Sequence, residues 1–209
     1  ELKEAHILLN QENVPEEKLP QMVHHLDRVT EIFRLLSNQW KVMETLAPQD
    51  FLAFRDKLGT SSGFESWQMR ELEVLLGLEN EQRMGGMDPL EHMRKLASEG
   101  KVTQSVLSDF ERTSSQPSLR NALSAWLART PINGSLVGDE NDAEVLETFV
   151  NGHLDAMKNH GEKVISHIVA IGHGEESAVR SRIEAAHQQA EDFLKPNGQI
   201  SRSRAGLLF

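Results

Sequence analysis

Apolar residues return at three- and four-residue steps along most of this chain, and that period is helical. Met22, Val23, Leu26, Val29, Ile32, Phe33 and Leu36 form one series, with Asp27, Arg28, Glu31 and Arg34 between them. The spacing predicts an amphipathic helix with one buried stripe. Pro20 suits its first turn, where a missing N–H costs little. Glu1 to Leu9 carries a weaker helical pattern, and Asn10 to Pro15 reads as a loop. Ala-Pro-Gln-Asp at 47–50 is a stop-and-cap signal, after which Phe51, Phe54 and Leu58 follow at helical spacing. Gly59 to Gly63 is a tight polar turn, and a helix is predicted from about 65 to 76. Gly85, Gly86 and Pro89 mark the next break. Shorter helices are predicted over 90–97 and 119–127, the second preceded by Ser-rich sequence at 113–118. Residues 130–142 read as a loop. A long helix follows over 143–172 and a last one over 175–194. Lys195 to Gly206 reads as a basic, Ser- and Gly-containing tail. No stretch alternates with period two for long enough to predict a strand, and no repeat or linker divides the chain. The expectation is one all-α domain over 1–209.

Composition narrows the chemistry. The 209 residues can bury a sizeable core, roughly 70% of the unfolded surface. A formal net charge of −10 argues against nucleic acid as a partner, and no apolar run approaches the length of a membrane helix. Cysteine is absent, which removes disulfides, zinc–thiolate sites, iron–sulfur clusters, a Cys nucleophile and thiolate-ligated haem. The chain opens at Glu1 without a Met, so an upstream segment is expected and the start of the chain does not decide its location; the expectation is a cytoplasmic protein.

Three constellations could carry function. His153, His160 and His167 recur every seven residues, about 10.5 Å apart along a helix, too far for two ligands of one metal; they read as a polar stripe or a subunit contact. Glu184-x-x-His187 has the spacing of di-iron bundles, but such a site needs a second copy that the sequence does not supply. A lone His187 can still serve as axial ligand to a haem. The densest signal is residues 51 to 70, Phe-Leu-Ala-Phe-Arg-Asp-Lys-Leu-Gly-Thr-Ser-Ser-Gly-Phe-Glu-Ser-Trp-Gln-Met-Arg. Arg55 lies one helical turn after Phe51. An Arg beside aromatic walls suits bidentate recognition of an amino-acid carboxylate, and the Thr-Ser-Ser-Gly turn could receive an anion. From residues alone, an Arg55 salt bridge to Asp50 or Asp56 and simple helix capping explain the block better.

This block resembles the signature of the tryptophan 2,3-dioxygenase family, Phe-Arg-Asp/Glu-x-Leu-x-x-x-Ser-Gly-Phe-Gln-Ser-x-Gln. Residues 35 to 51 resemble the segment leading into it, residues 1 to 36 its preceding helix pair, and Ala125-Trp-Leu-Ala-Arg-Thr-Pro131 a segment of some members. The resemblance is specific over 1–78, thin over 79–142 and distant over 143–209, where it rests on His187 lying 20 to 21 residues before Leu207-Leu208. It implies an all-α bundle enclosing haem b, which uses O2 to open the indole ring of L-tryptophan or a close analogue to an N-formylkynurenine-type product. It implies that Arg55 clamps the substrate carboxylate and Phe51 lines the indole pocket. Ser62 would meet a haem propionate with Gly63 alongside, Trp40 would pack near the haem, and His187 would bind the iron. A homo-oligomer, dimer or tetramer, is implied as well.

The chain departs from the family pattern in several places. The His-Gln motif that supplies the distal histidine falls upstream of Glu1. Glu65 stands where Gln is usual, and the proximal helix reads Arg182-Ile-Glu-Ala-Ala-His187 in place of Trp-Arg-x-x-His. The family's Gly-Thr-Gly-Gly-Ser-x-Gly loop, which meets the substrate ammonium, aligns with residues 197–206, where Arg202 and Arg204 are expected to point to propionates or solvent. A haem-dependent aromatic amino-acid hydroxylase on the same scaffold is the alternative activity, and a non-catalytic helical interaction protein the alternative class.

Overall fold

The computed structural model describes residues 1–59, 63–172 and 175–208. Among them there is no strand, only an isolated bridge between Ile132 and Ser135. The chain divides into two compact units, Glu1–Leu123 and Ser124–Phe209, each described by itself.

The first unit opens with α1 (Leu2–Leu9), which buries Leu2, Ala5, His6 and Leu9 and packs on α2 (Leu19–Met43). The buried His6 ties α1 to the Pro117 carbonyl through Nε2. The stripe expected to bury along α2 does so only at Met22; Leu26, Val29 and Phe33 are half-buried and Val23, Ile32 and Leu36 exposed. The reason is length. The eight residues of α1 span about 12 Å, and the twenty-five of α2 about 37 Å, so α1 covers only the first part of its partner. The next helix, α3 (Pro48–Arg55), buries no side chain, and Pro48 rather than a side-chain cap starts it.

Beyond residue 66 the packing tightens. Ser66 caps α4 (Trp67–Leu76) by accepting the Met69 N–H. Asp88 Oδ1 accepts the Leu90 and Glu91 N–H groups at the start of α5 (Pro89–Ser98). A helix that the reading by period left out, α6 (Gln104–Ser114), is capped by Thr103 and inserts Leu107 and Phe110 between Met93 and Leu96 of α5. Trp67 and Val74 of α4 close this core. Glu71 joins three helices, accepting from Lys3 Nζ at 2.8 Å and Thr113 Oγ1 at 3.1 Å. Gly77 ends α4 at φ +88°, and a Cβ there would sit 2.4 Å from Ser118 Oγ, so both backbone and space require glycine. The unit's boundary falls within α7 (Leu119–Arg129).

The second unit is an antiparallel hairpin of α8 (Asp142–Ala170) and α9 (Glu176–Leu194) with a short α10 (Arg202–Ala205) against both. Its core joins Ile132, Val150, Leu154, Leu194 and Ala205. Residues 195–206 are therefore not a free tail. One turn into α9, Arg180 pairs with Glu176 of its own helix and Glu162 of α8, and these two carboxylates raise its pKa. At mid-hairpin the helices meet at Gly161, where an added Cβ would lie 2.6 Å from Ile183 Cγ2.

Two substitutions test this packing. Phe110→Ala should lower unfolding free energy by about 3–5 kcal/mol in denaturant titration. Gly161→Ala should lower the melting temperature despite a helix-propensity gain of about 1 kcal/mol. In an Ile183→Ala background the same change should become neutral or stabilising; a loss of the same size in both backgrounds would show that Ile183 is not the obstacle.

Candidate functional site

α3 and the end of α2 carry the first unit's candidate residues. Phe51 is 43% exposed and stacks edge-on against Phe54, ring centroids 5.3 Å apart at 82°. Arg55, one turn after Phe51, is half-buried and donates from one terminal guanidinium nitrogen to the Gly59 carbonyl at 2.9 Å. That bond lays the guanidinium over the end of its own helix, where a cation complements the dipole. Ser62, with Thr60 and Ser61, lies outside the described residues. Gly63 starts a short 3-10 turn with Phe64 and Glu65, and the space beside its Cα is open. Glu65, the acid standing where the signature has Gln, pairs with Lys101 at 2.9 Å and raises the lysine's pKa together with Glu99.

Trp40 is 69% exposed and, with Phe33, Leu36 and Met43 of α2 and Met69 of α4, lines an apolar cavity of about 650 Å³. That volume lies within the range of small-molecule and cofactor sites. Phe33, Leu36, Trp40 and Met43 follow one another at steps of three, four and three residues, so the apolar series of α2 runs past Leu36 to Met43. Their apolar and polarizable side chains suit the face of a planar apolar group.

In the second unit His187 is half-buried on α9 and its Nε2 lies 3.2 Å from the Leu154 carbonyl on α8. With that nitrogen donating, the other ring nitrogen carries the lone pair. One nitrogen tied to a carbonyl and one left as donor is the arrangement of metal-ligating histidines. Among the described residues no three His, Asp or Glu side chains gather to hold a metal ion. The donor chemistry therefore fits a group that asks for a single imidazole, as haem does. His160 and His167 stand exposed on α8 and His153 is half-buried.

The 197–206 segment overturns one expectation. Arg202 points neither to solvent nor toward an open ligand site: its side chain is 9% exposed. Its Nε donates to the Ala128 carbonyl at 2.8 Å, and one terminal nitrogen donates to the carbonyls of Ser135 at 2.6 Å and Thr130 at 3.2 Å. The other terminal nitrogen pairs with Asp142, which also accepts from Ser135 Oγ at 2.8 Å. Arg204 donates to the Phe193 carbonyl at 2.8 Å and lies over the Phe193 ring, 5.1 Å from its centroid. Counting basic residues finds these arginines but not their acceptors, most of which are backbone carbonyls.

Comparison with known proteins adds to this geometry. The chain matches the family profile described as tryptophan 2,3-dioxygenase over residues 1–204. It is 34% identical over 198 residues to the tryptophan 2,3-dioxygenase of Sorangium cellulosum, covering 93% of this chain and 47% of that protein. It is 32% identical over 200 residues to tryptophan 2,3-dioxygenase 2 of Ralstonia nicotianae, covering 93% and 52%. It is 49% identical over 80 residues to the tryptophan 2,3-dioxygenase of Serratia proteamaculans, covering 38% and 27%. The chain thus spans about half the length of the first two relatives. With the profile matched across nearly all of its residues, the chain belongs to the tryptophan 2,3-dioxygenase family.

Proposed function

We propose that this chain is the haem- and substrate-binding part of an enzyme that uses O2 to cleave the indole ring of L-tryptophan or a close analogue, giving an N-formylkynurenine-type product, and that it works as a homo-oligomer. The observation that carries the reading is the family match over 1–204, with Phe51 and Arg55 one turn apart on α3. His187 would hold the haem iron, Trp40 would pack against the macrocycle, and Ser62 and Gly63 would receive a propionate. When bound, the haem supplies the activation of O2 that no side chain can perform.

The chain's own residues bind and orient. Phe51 and Phe54, set edge-to-face, offer an aromatic wall to a flat indole. Arg55 turns its fork to the carboxylate, exchanging a single bond to the uncharged Gly59 carbonyl for a bidentate pair with an anion. Fixing the substrate at both ends holds the ring at one place relative to the oxygen, which is where positioning contributes to rate.

Three measurements on the full-length, haem-loaded protein test the reading. His187→Ala should abolish or strongly shift the Soret band while the far-UV helical signal stays. In the haem-free protein the same change should cost only about 1 kcal/mol, the worth of one neutral hydrogen bond. An unchanged haem spectrum would remove His187 from the iron.

Arg55→Lys should weaken L-tryptophan binding by about 10- to 150-fold, as loss of a charged hydrogen bond implies, and leave binding of tryptamine, which lacks the carboxylate, nearly unchanged. Equal losses for both ligands would reduce Arg55 to a cap for its own helix.

Turnover under isotopically labelled O2 should place two labelled atoms in one product. A single labelled atom would favour the hydroxylase.

A further inference from the structure

The cavity between α2 and α4 is walled in part by sulfur. Met43 is 46% exposed and Met69 44% exposed, and both line the space of about 650 Å³ with Trp40. Met43 lies one turn after Trp40 on α2, and Met69 stands in the first turn of α4. Met22 and Met93 of the same unit are buried and Met87 is half-buried. The chain has seven methionines and no cysteine. Peroxides react readily with thiolates; where there is none, thioethers are the only sulfur available. A thioether need not lose a proton to react, so its exposure sets its rate.

We propose that Met43 and Met69 form a peroxide-sensitive modification site that controls how tightly this cavity holds a planar apolar ligand. Each sulfur lone pair attacks one oxygen of hydrogen peroxide. The O–O bond breaks as the S–O bond forms. Sulfur loses two electrons, and the departing oxygen takes them together with the proton of the transferred oxygen and leaves as water. The product, methionine sulfoxide, turns a flexible apolar side chain into a polar one. A flat apolar ligand seated there would strip water from the new oxygens, and a polar group buried without a partner is unfavourable. Met43 comes from α2 and Met69 from α4, so both helices that wall the cavity are changed. Methionine sulfoxide reductases, drawing two electrons from a dithiol, restore the thioether, which makes the change reversible. The inference does not rest on the dioxygenase reading, because it concerns any planar apolar occupant.

The test takes the chain through a hydrogen peroxide series. Peptide mass spectrometry locates each added oxygen, and the fluorescence of anilinonaphthalene sulfonate, a flat apolar dye, reports ligand binding. Met43 and Met69 should gain oxygen about tenfold faster than Met22 and Met93. With both sulfurs oxidised, the dye's dissociation constant should rise about tenfold while the far-UV helical signal stays. A methionine sulfoxide reductase with a dithiol should return it to its starting value. Trp40→Ala, on the same wall, should weaken dye binding before any oxidation and so place the dye in the cavity. The double variant Met43→Leu, Met69→Leu conserves volume and removes the sulfurs, and its dissociation constants before and after peroxide should agree within about twofold. Either leucine substitution alone should give an intermediate response, which covers the case of a double variant that folds poorly. Oxidation of Met22 or Met93 at the same rate would overturn the inference. So would dye binding indifferent to Trp40 or to the two sulfoxides, a peroxide response that survives in the leucine variants, or a helical signal that falls together with the affinity.

Discussion

The second unit depends on one requirement: the carbonyls of Ala128, Thr130 and Ser135, at the end of α7 and in the turn after it, need donors. Helix termini leave their last four carbonyls without intrahelical partners. Arg202 supplies Nε to Ala128 and a terminal nitrogen to Thr130, at the end of α7, and its remaining nitrogen to Asp142, the first residue of α8. One guanidinium thus lies between the negative end of one helix dipole and an acid at the positive end of another, and both placements are favourable. A buried pair of this kind adds less by its attraction than it costs to break, about 3–5 kcal/mol when one partner is removed. Ile132, with Ala205, Val150 and Leu194, forms the apolar core beneath the same loop, so the polar and apolar contacts hold the same strand of chain in one place.

The first unit shows the opposite economy along its N-terminal half. Residues beyond 66 build a closed core around Phe110 and Met93, whereas α2 past Phe33 and the whole of α3 leave Leu35, Trp40, Val42, Phe51 and Leu52 exposed. Trp40, Phe51 and Arg55 stand on that looser part. Such elements have few buried contacts and open at low free energy, and large apolar side chains gathered on one face mark a binding surface more often than chance exposure. The tight helices α4 to α6 carry the stability, and the sparsely packed α2 end and α3 carry the surface on which ligands can act.

What the sequence made legible follows from range. The helices α2, α4, α5, α7, α8 and α9 came from local period and from Pro, Gly and Asx signals. So did the placement of Phe51 and Arg55 one turn apart on α3. The helix over 104–114 was missed although Thr103 caps it and Val106, Leu107 and Phe110 share a face; a Ser-rich flank at 113–118 masked a short period. Burial along α2 was overpredicted because a stripe shows which face is apolar, not how long its partner is. Arg202 was misread for a related reason. Its acceptors are backbone carbonyls more than sixty residues away, and no side-chain pattern encodes them.

The same limit applies to His187, and there the structure supplies a physical account of how one imidazole is prepared. The Leu154 carbonyl lies inside α8, where one lone pair already serves the helix ladder; a carbonyl has a second. His187 takes that second site from the facing helix, so the contact disturbs no backbone bond and fixes which nitrogen carries the proton. The close approach that allows it is set two turns away, where Gly161 lets Ile183 pack against bare backbone. A larger residue at 161 would spread the hairpin and lengthen a bond that is already 3.2 Å. The Leu154 carbonyl, which can only accept, thus sets the tautomer of His187, and the glycine at 161 lets the two helices that carry the bond pack closely.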